Sequence, residues 1–255
     1  MSVCVVSAFY RIPSKHSVET YVKWMEPFFR STSFKLVLFT EPALVGLFAQ
    51  LREAWPDRTM IIGWPFQEFT AIKRWGAQVW IDAKAMDTEA GHSPELYCMW
   101  YEKKEFVLRA IALKAFGAEK FVWCDAGILR FENWLPPIVA QFPVAERIEA
   151  GKITVLQVVD FKEGDAVDTD FSAVNRIGGG IQAGDAEAWT WWSGTYDAMF
   201  TKYVTEGRFV GKDQNLIAAC VLQTMERFVR VSSPKELDGY SKWFWLLLWL
   251  SGLSG

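Results

Sequence analysis

The stretch KFVWCDAGILRF, from Lys120 to Phe131, decides the expected fold more than any other part of the chain. It opens with an apolar strand, presents the carboxylate of Asp125 beside Ala126-Gly127, and resumes with a second apolar strand at Ile128-Leu129. An acid at the point where a buried strand gives way to a turn lies at the carboxyl end of a sheet, where open α/β folds bind their ligands. The alternative is an ordinary turn aspartate, since Asp and Gly are common turn residues.

Short apolar segments alternate with helical patterns on the amino-terminal side of this stretch. Strands are predicted at 3–9, 35–40 and 59–62, and helices at 17–30, from 42 onward and at 93–117. Strands that alternate with helices of this length predict an α/β fold with a Rossmann-like, mainly parallel central sheet flanked by helices. A strand at 153–158, a glycine-rich segment, a Trp-rich helix and a short helix from Lys212 follow.

The length of 255 residues, with no visible linker or repeat, predicts a single domain. We expect residues 1–130 to form a nucleotide-binding half and residues 131–255 an acceptor-facing half. Apolar residues make up 51% and charged residues 22% of the chain, as in folded proteins. The net charge of −3, without clustered Lys and Arg, argues against a nucleic-acid partner.

Four widely spaced cysteines and only two histidines restrict the chemistry further. The cysteines predict buried free thiols of a reducing compartment instead of disulfides or a zinc site. The scarcity of histidine argues against a His-based metal site or a His general base. The amino terminus lacks the basic region and apolar core of a signal peptide, so a cytoplasmic location is expected.

The apolar run from Trp243 to Leu250 stands near the carboxyl end. It is shorter than the ~20 residues that span a bilayer. Either it is a packed terminal helix, or it makes peripheral membrane contact through its Trp and Leu side chains. Nothing in the chain implies a protein partner.

Two segments offer groups that could hold a nucleotide. The loop after the first strand supplies an aromatic ring for stacking and cations for phosphate, with a solvated loop as the alternative; its candidate donor-binding residues are Ser7, Ala8, Phe9, Tyr10 and Arg11. The predicted helix from 93 carries Lys103 and Lys104 beside apolar residues. A cation there is costly to bury unless a carboxylate or phosphate pairs with it, although it could also extend to solvent. Lys104 is the candidate donor-binding lysine, and Asp125, Ala126 and Gly127 complete the candidate donor-binding set.

Two further segments offer groups for the sugar. In NRIGGGIQAGD, Gly178, Gly179 and Gly180 allow a sugar to approach the backbone and allow positive φ, and Gln182 follows. The segment lacks the GxGxxG spacing, and a bulge or hinge is the alternative. In GKDQN, Asp213 and Gln214 begin a helix. Asp213 is either its N-cap or a catalytic carboxylate that the helix dipole keeps ionised.

The segments AFY, KFVWCDAGILRF, GGGIQAG, GKDQN and WFWLLL, in this order over most of the chain, resemble the HtrL/YibB-type glycosyltransferase family. More broadly they resemble GT-A nucleotide-sugar enzymes, including those of large viruses. The resemblance implies a GT-A-like fold, a nucleotide-sugar donor (a UDP-sugar favoured), a glycan or other hydroxyl acceptor, and Asp213 with Gln214 as catalytic residues.

The GT-A class usually has Asp-x-Asp at the turn, where it binds a divalent ion. This chain has Asp125-Ala126-Gly127, so the second acid is missing. The late metal-binding His that is common in the class is also missing, because no His follows position 92. The resemblance implies Mn²⁺ or Mg²⁺ as cofactor, with Asp125 as its metal ligand beside phosphate oxygens and waters. In the alternative, Lys and Arg neutralise the diphosphate without an ion.

The sequence therefore predicts a glycosyltransferase. Asp213 would act as base for the acceptor hydroxyl if the reaction inverts configuration, or stabilise an oxocarbenium-like centre if it retains configuration. Three alternatives stay open: a nucleotidyltransferase of the same half-fold, a carbohydrate-binding relative without activity, and a membrane-bound scaffold that uses the carboxyl-terminal Trp/Leu run.

Overall fold

The computed structural model describes residues 2–237 and 239–254. Within these residues, seven strands form one sheet. They are β1 (Val3–Phe9), β2 (Lys35–Thr40), β3 (Thr59–Gly63), β4 (Lys120–Cys124), β5 (Ile153–Gln157), β6 (Ile177–Asp185) and β7 (Phe228–Ser232). Their order across the sheet is β3-β2-β1-β4-β6-β5-β7.

The α-helices of the described residues flank this sheet. They are α1 (Val18–Ser31), α2 (Val45–Leu51), α3 (Thr70–Trp75), α4 (Gln78–Met86), α5 (Pro94–Ala112), α6 (Leu135–Gln141), α7 (Ala186–Thr205), α8 (Asp213–Gln223) and α9 (Trp245–Leu250). Side chains cap three of the predicted helices: Ser17 accepts from the amide of Thr20, Ser93 from that of Leu96, and Asp185 from that of Ala188. Each cap satisfies an amide that has no partner inside its helix.

Strand β6 is the exception in a mainly parallel sheet. β1 pairs in parallel with β2 and β4, β2 with β3, and β5 with β7, whereas β6 is antiparallel to both of its neighbours. The predicted α/β class with a mainly parallel sheet flanked by helices is confirmed. The carboxyl ends of β1 and β4 therefore meet the amino end of β6 at one edge.

An apolar cluster packs on each face of the sheet, because successive side chains of a strand point to opposite sides. Val6 and Trp123 belong to the cluster that α5, α7 and α8 cover, and Val5 and Val122 belong to the cluster that α1 and α9 cover. All four cysteines are buried free thiols, as predicted.

Two local predictions were wrong. Helix α5 ends at Ala112, before the predicted 117, because Lys114 and Phe116 adopt left-handed backbone angles (φ 49° and 55°). Ile128-Leu129 is buried but forms no strand among the described residues. Instead, the amide of Ile128 donates to the carbonyl of Asp125 at 3.0 Å, which closes a turn. The glycine-rich segment is strand β6, with no positive φ at 178–180.

The carboxyl-terminal apolar run packs into the protein as α9. Trp245, Leu246, Leu247 and Leu250 are each at most 5% exposed, and Trp243 and Trp249 are partly exposed. Packing of this run is thus observed. Peripheral membrane contact through it stays a prediction, and it would involve the partly exposed side chains of Trp243 and Trp249. No helix in the described ranges has the length and apolar character needed to cross a membrane.

Candidate active site

Two carboxylates from distant parts of the chain meet on one ammonium. Asp125 follows β4, Asp213 begins α8, and Lys103 extends from α5. The Nζ of Lys103 donates to Oδ2 of Asp213 at 2.9 Å and to the carbonyl of Gly179 at 2.9 Å, and it lies 3.3 Å from Oδ1 of Asp125. The ammonium thus donates two hydrogen bonds and forms a close ion pair with a second carboxylate.

The sheet topology brings the glycine segment to this cluster. Because β6 runs antiparallel to β4, its amino-terminal residues lie beside the end of β4, where Cys124 pairs with Ile181. The amide of Asp125 then donates to the carbonyl of Gly180 at 2.9 Å, and the indole Nε1 of Trp123 donates to Oδ1 of Asp125 at 2.8 Å. These bonds fix the direction of the Asp125 carboxylate.

Gly179 is required by its contact with Asp213. A Cβ at position 179 would lie within 2.8 Å of all three atoms of the Asp213 carboxyl group. The register of β6 with β5 also shifts here, between Val155, which pairs with Gln182, and Leu156, which pairs with Gly178. The pairing of β5 with β6 is therefore irregular at the glycines, which agrees with the bulge that the sequence left as an alternative, and the space above Gly179 holds a carboxylate.

Burial and charge shape the protonation of the cluster. The side chains of Lys103 and Asp213 are 7% and 6% exposed, whereas that of Asp125 is 39% exposed. Burial lowers the pKa of Lys103, but the two carboxylates raise it by more, so the net shift is upward. Two carboxylates share one ammonium, which leaves the cluster net negative.

The cluster lies in a cavity of about 360 Å³, called here the main cavity, which falls in the range of small-molecule sites. A side cavity of about 110 Å³ shares several of its lining residues. Both are lined by Lys103, Asp125, Gly127 and Arg130, and the main cavity also by Gly178, Gly179, Gly180, Asp213 and Gln214. The candidate residues of the four sequence segments thus largely converge on one region.

The predicted donor-binding loop reaches this region only in part. Ala8, Phe9, Tyr10 and Ala126 line the side cavity. The ring of Tyr10 is 6% exposed, lies 4.9 Å from that of Phe69, and its hydroxyl donates to the Trp64 carbonyl at 2.8 Å. Most of the ring surface expected to stack on a base is therefore taken by the core.

Ser7 and Arg11 do not appear among the described residues that line the two cavities. Ser7 is fully buried, and its hydroxyl donates to the carbonyl of Cys124 at 2.6 Å. Arg11 is exposed and forms a two-pronged ion pair with Glu41, with both N···O distances 2.8 Å. In this structure Ser7 ties β1 to β4, and Arg11 is held at the surface.

Lys103, and not Lys104, is the lysine of the main cavity. Neighbouring helical residues point about 100° apart, and the ammonium of Lys104 lies 2.8 Å from Oδ1 of Asp197 and 4.2 Å from the ring centroid of Tyr101. Neither lysine extends to solvent: Lys103 is 6% and Lys104 3% exposed. Lys104 is thus not among the described residues that line the main cavity, and its donor-binding role stays a prediction.

The remaining candidates differ in position. Asp213 is the first residue of α8 and accepts from Lys103, and no side chain caps that helix, so it is not an N-cap. Gln214 lines the main cavity. Gln182 is 4% exposed and faces a small pocket beside Lys104. Gln182 is not among the described residues that line the main cavity.

The sequence interpretation missed His92, which lines the main cavity. Its Nδ1 donates to Oδ2 of Asp87 at 2.6 Å, and its Nε2 lies 3.5 Å from Oε1 of Glu89. Burial raises the pKa of Asp87, but hydrogen bonds from His92 and two other groups lower it to about 2. A carboxylate that orients an imidazole is the arrangement of a general base. In the sequence, the only indication of this pair is the short segment DTEAGH, from Asp87 to His92, which matches no strong motif.

Arg130 was also missed, although it lies in the opening stretch. Its guanidinium carbon is 3.4 Å from the ring centroid of Trp24 and 5.3 Å from that of Phe244. Arg130 lines both cavities. Burial lowers its pKa, while nearby Tyr240, Tyr21 and Asp125 act in the opposite direction.

The donor set does not fit a divalent ion held by the protein. In the described part of the chain, no three His, Cys, Asp or Glu side chains come together so as to hold a metal. The ammonium of Lys103 already lies between the carboxylates of Asp125 and Asp213. A divalent ion there would face this positive charge at short range. The expectation of Mn²⁺ or Mg²⁺ thus finds no support in these residues.

Comparison with known proteins bears on the fold. No family model matches the chain, and no curated protein matches it. The apo crystal structure of mouse xyloside xylosyltransferase 1 is similar, with a TM-score of 0.52 and 11% identity over 97% of this chain and 94% of that chain. A 4-diphosphocytidyl-2C-methyl-D-erythritol synthase from Anaerococcus prevotii DSM 20548 gives a TM-score of 0.36 and 10% identity over 98% and 96%. The xylosyltransferase likeness shows that the chain has a GT-A-like fold.

Proposed function

We propose that the protein is a glycosyltransferase that moves a sugar from a nucleoside-diphosphate sugar to a hydroxyl group of a glycan or similar acceptor. One observation carries the proposal: Asp125 and Asp213 converge on Lys103 in a cavity at the carboxyl edge of the sheet, in a GT-A-like fold. A UDP-sugar and a place in the HtrL/YibB family are finer expectations, supported by the sequence resemblance alone.

The negative cluster suits the charge that glycosyl transfer creates. The anomeric carbon becomes positive as its bond to the leaving oxygen lengthens. Asp213 and Asp125 share a single cation, so their net negative charge stabilises that carbon more in the transition state than in the ground state. Lys103 holds both carboxylates in position, and its charge opposes the burial that raises the pKa of Asp125. Gln214 and the carbonyl-bearing backbone at 178–180 supply hydrogen-bond partners for sugar hydroxyls.

The reaction breaks the bond between the anomeric carbon and the diphosphate oxygen, whose electron pair leaves with the diphosphate. The acceptor oxygen forms the new bond to that carbon. Its proton passes to a base in an inverting displacement, and to the departing diphosphate in a retaining one. Asp213 is the proposed base, and His92 is the second candidate because Asp87 orients its ring.

Nucleotide release during incubation with a panel of UDP-, GDP-, CDP- and dTDP-sugars and simple glycan acceptors tests the proposal. We expect a nucleoside diphosphate to accumulate with the wild type. Asp213→Asn and Asp125→Asn keep the side-chain shape but remove the charge, and each should lower kcat/KM by about 10²–10³-fold. His92→Gln distinguishes the base: if this variant keeps the wild-type rate while Asp213→Asn loses activity, the proton goes to Asp213.

Asp168→Asn is the matched control, since Asp168 is 73% exposed in a surface ion pair with Lys202. It should keep the wild-type rate. Equal activity of the wild type, Asp125→Asn and Asp213→Asn would contradict the site assignment. Release of pyrophosphate from a nucleoside triphosphate incubated with a sugar phosphate, with no nucleoside diphosphate released from the sugar donors, would instead indicate a nucleotidyltransferase.

A further inference from the structure

Arg130 is a cation at the site to which the described part of the chain supplies no hydrogen-bonding partner. Its Nε and Nη1 atoms are buried, and neither meets an acceptor anywhere in residues 2–237 and 239–254. The guanidinium plane packs on Trp24, with its carbon 3.4 Å from the ring centroid. This contact fixes the orientation of the group but satisfies none of its N–H donors.

The other strong cations of the main cavity are already paired. Lys103 donates to a carboxylate and a carbonyl and lies against a second carboxylate. Lys15 pairs with Glu89, which also pairs with Lys212 at 2.7 Å. Among the described lining residues, Arg130 is therefore the Lys or Arg whose donors are left for a ligand.

A buried charge without a partner is costly to the folded protein. Stacking on an aromatic ring offsets only part of that cost. A binding residue accepts such a cost because its ligand supplies the missing acceptors. The planar fork of arginine matches phosphate oxygens two at a time, so a phosphate group is the ligand chemistry that this geometry suits best.

We propose that Arg130 binds the diphosphate of the sugar donor and that it does so without a divalent ion. This inference rests on the proposed function. The nucleotide sugar then lies with its negative group at Arg130 and its anomeric carbon at the net negative cluster of Asp125 and Asp213. Asp125 faces the sugar and not the phosphates, because an unmetallated carboxylate repels a diphosphate.

Isothermal titration calorimetry with UDP and with inorganic pyrophosphate, each in EDTA and again in Mn²⁺, tests this assignment. Uridine serves as the ligand without phosphate. We expect the wild type to bind both phosphate ligands in EDTA. Arg130→Met keeps a flexible apolar stem against Trp24 and should weaken both by about 10- to 100-fold. Arg130→Lys keeps the charge but loses the planar fork of donors, so its affinity for both ligands should lie between those of the wild type and Arg130→Met.

Thermal unfolding separates this role from a structural one. Without ligand, Arg130→Met should melt no lower than the wild type, because it removes an uncompensated charge, but it should lose the rise in Tm that UDP causes. Arg30→Met is the matched control: Arg30 lies on α1, is 41% exposed, and pairs with Glu26 at 2.9 Å. It should leave ligand binding unchanged.

The outcomes separate the two proposals. UDP binding that is equal in the wild type and Arg130→Met, or that requires Mn²⁺, would overturn the inference and leave the proposed function standing. Binding of pyrophosphate that depends on Arg130, with no binding of UDP, would support the anion site and remove the expectation of a UDP-sugar donor. If the wild type bound neither UDP nor pyrophosphate, the inference would be overturned.

Discussion

Replacing Lys103 with methionine should destabilise the protein through two carboxylates that lose their common cation. Asp213 is 6% exposed and would keep a nearly buried charge. Removing one partner of a buried ion pair costs about 3–5 kcal/mol. Asp125, at 39% exposed, retains contact with water, so we expect the lower end, about 3 kcal/mol.

Chemical and thermal denaturation of the wild type and Lys103→Met measure this loss. For a chain of this size, about 3 kcal/mol corresponds to a fall in Tm of about 6–12 °C. Lys152→Met is the control, because Lys152 and Glu149 form a surface pair at 2.9 Å with side chains 41% and 53% exposed. Such pairs contribute little, and this variant should unfold close to the wild type.

The pH dependence of the variant tests the cause. Burial raises the pKa of Asp125 and the ammonium of Lys103 lowers it, so without Lys103 the folded-state pKa of Asp125 rises further above its unfolded value and the folded protein binds more protons than the unfolded chain. The deficit of Lys103→Met should therefore be largest near pH 8 and shrink toward pH 5. Adding Asp213→Asn should recover part of the stability. A loss below about 1 kcal/mol, or a deficit that does not change with pH, would refute the reasoning.

Two further predictions concern the glycines at positions 179 and 194 and the hydrogen bond between His92 and Asp87. Gly179→Ala should lower the free energy of unfolding by about 1–3 kcal/mol, because the added Cβ would lie within 2.8 Å of the Asp213 carboxyl group. Gly194→Ala, in α7 with nothing within 4 Å of an added Cβ, should raise it by about 0.5–1 kcal/mol. Similar urea midpoints for the two variants would contradict this contrast. For Asp87, burial raises the pKa, but bonds from His92 and others lower it from 3.8 to about 2. Its stabilisation is complete above the unfolded value and lost as the pH falls toward 2, so the unfolding curves of wild type and Asp87→Asn should converge in acid. A gap that stays constant from pH 7 to pH 2 would argue against this pairing.

Patterns of a few residues were enough to predict the α/β class and the edge at which the candidate site lies. Apolar runs with strand length, serine caps and helical spacing are local properties, and they identified β1, α1, β2 and α5. The position of Asp125 directly after a buried strand likewise follows from neighbouring residues. A parallel sheet then dictates that such a residue lies at its carboxyl edge.

The tertiary structure alone decided which side chains meet there. Lys103 and Lys104 are equivalent in sequence, but the rotation of α5 against the sheet turns only Lys103 toward Asp125 and Asp213. The antiparallel course of β6 brought Gly179 under a carboxylate. The unpaired state of Arg130 depends on every acceptor around it. Lys103 lies 22 positions from Asp125 and 110 from Asp213 in the chain. Contacts over such separations depend on how helices and strands pack, so the local spacing of residues does not predict them.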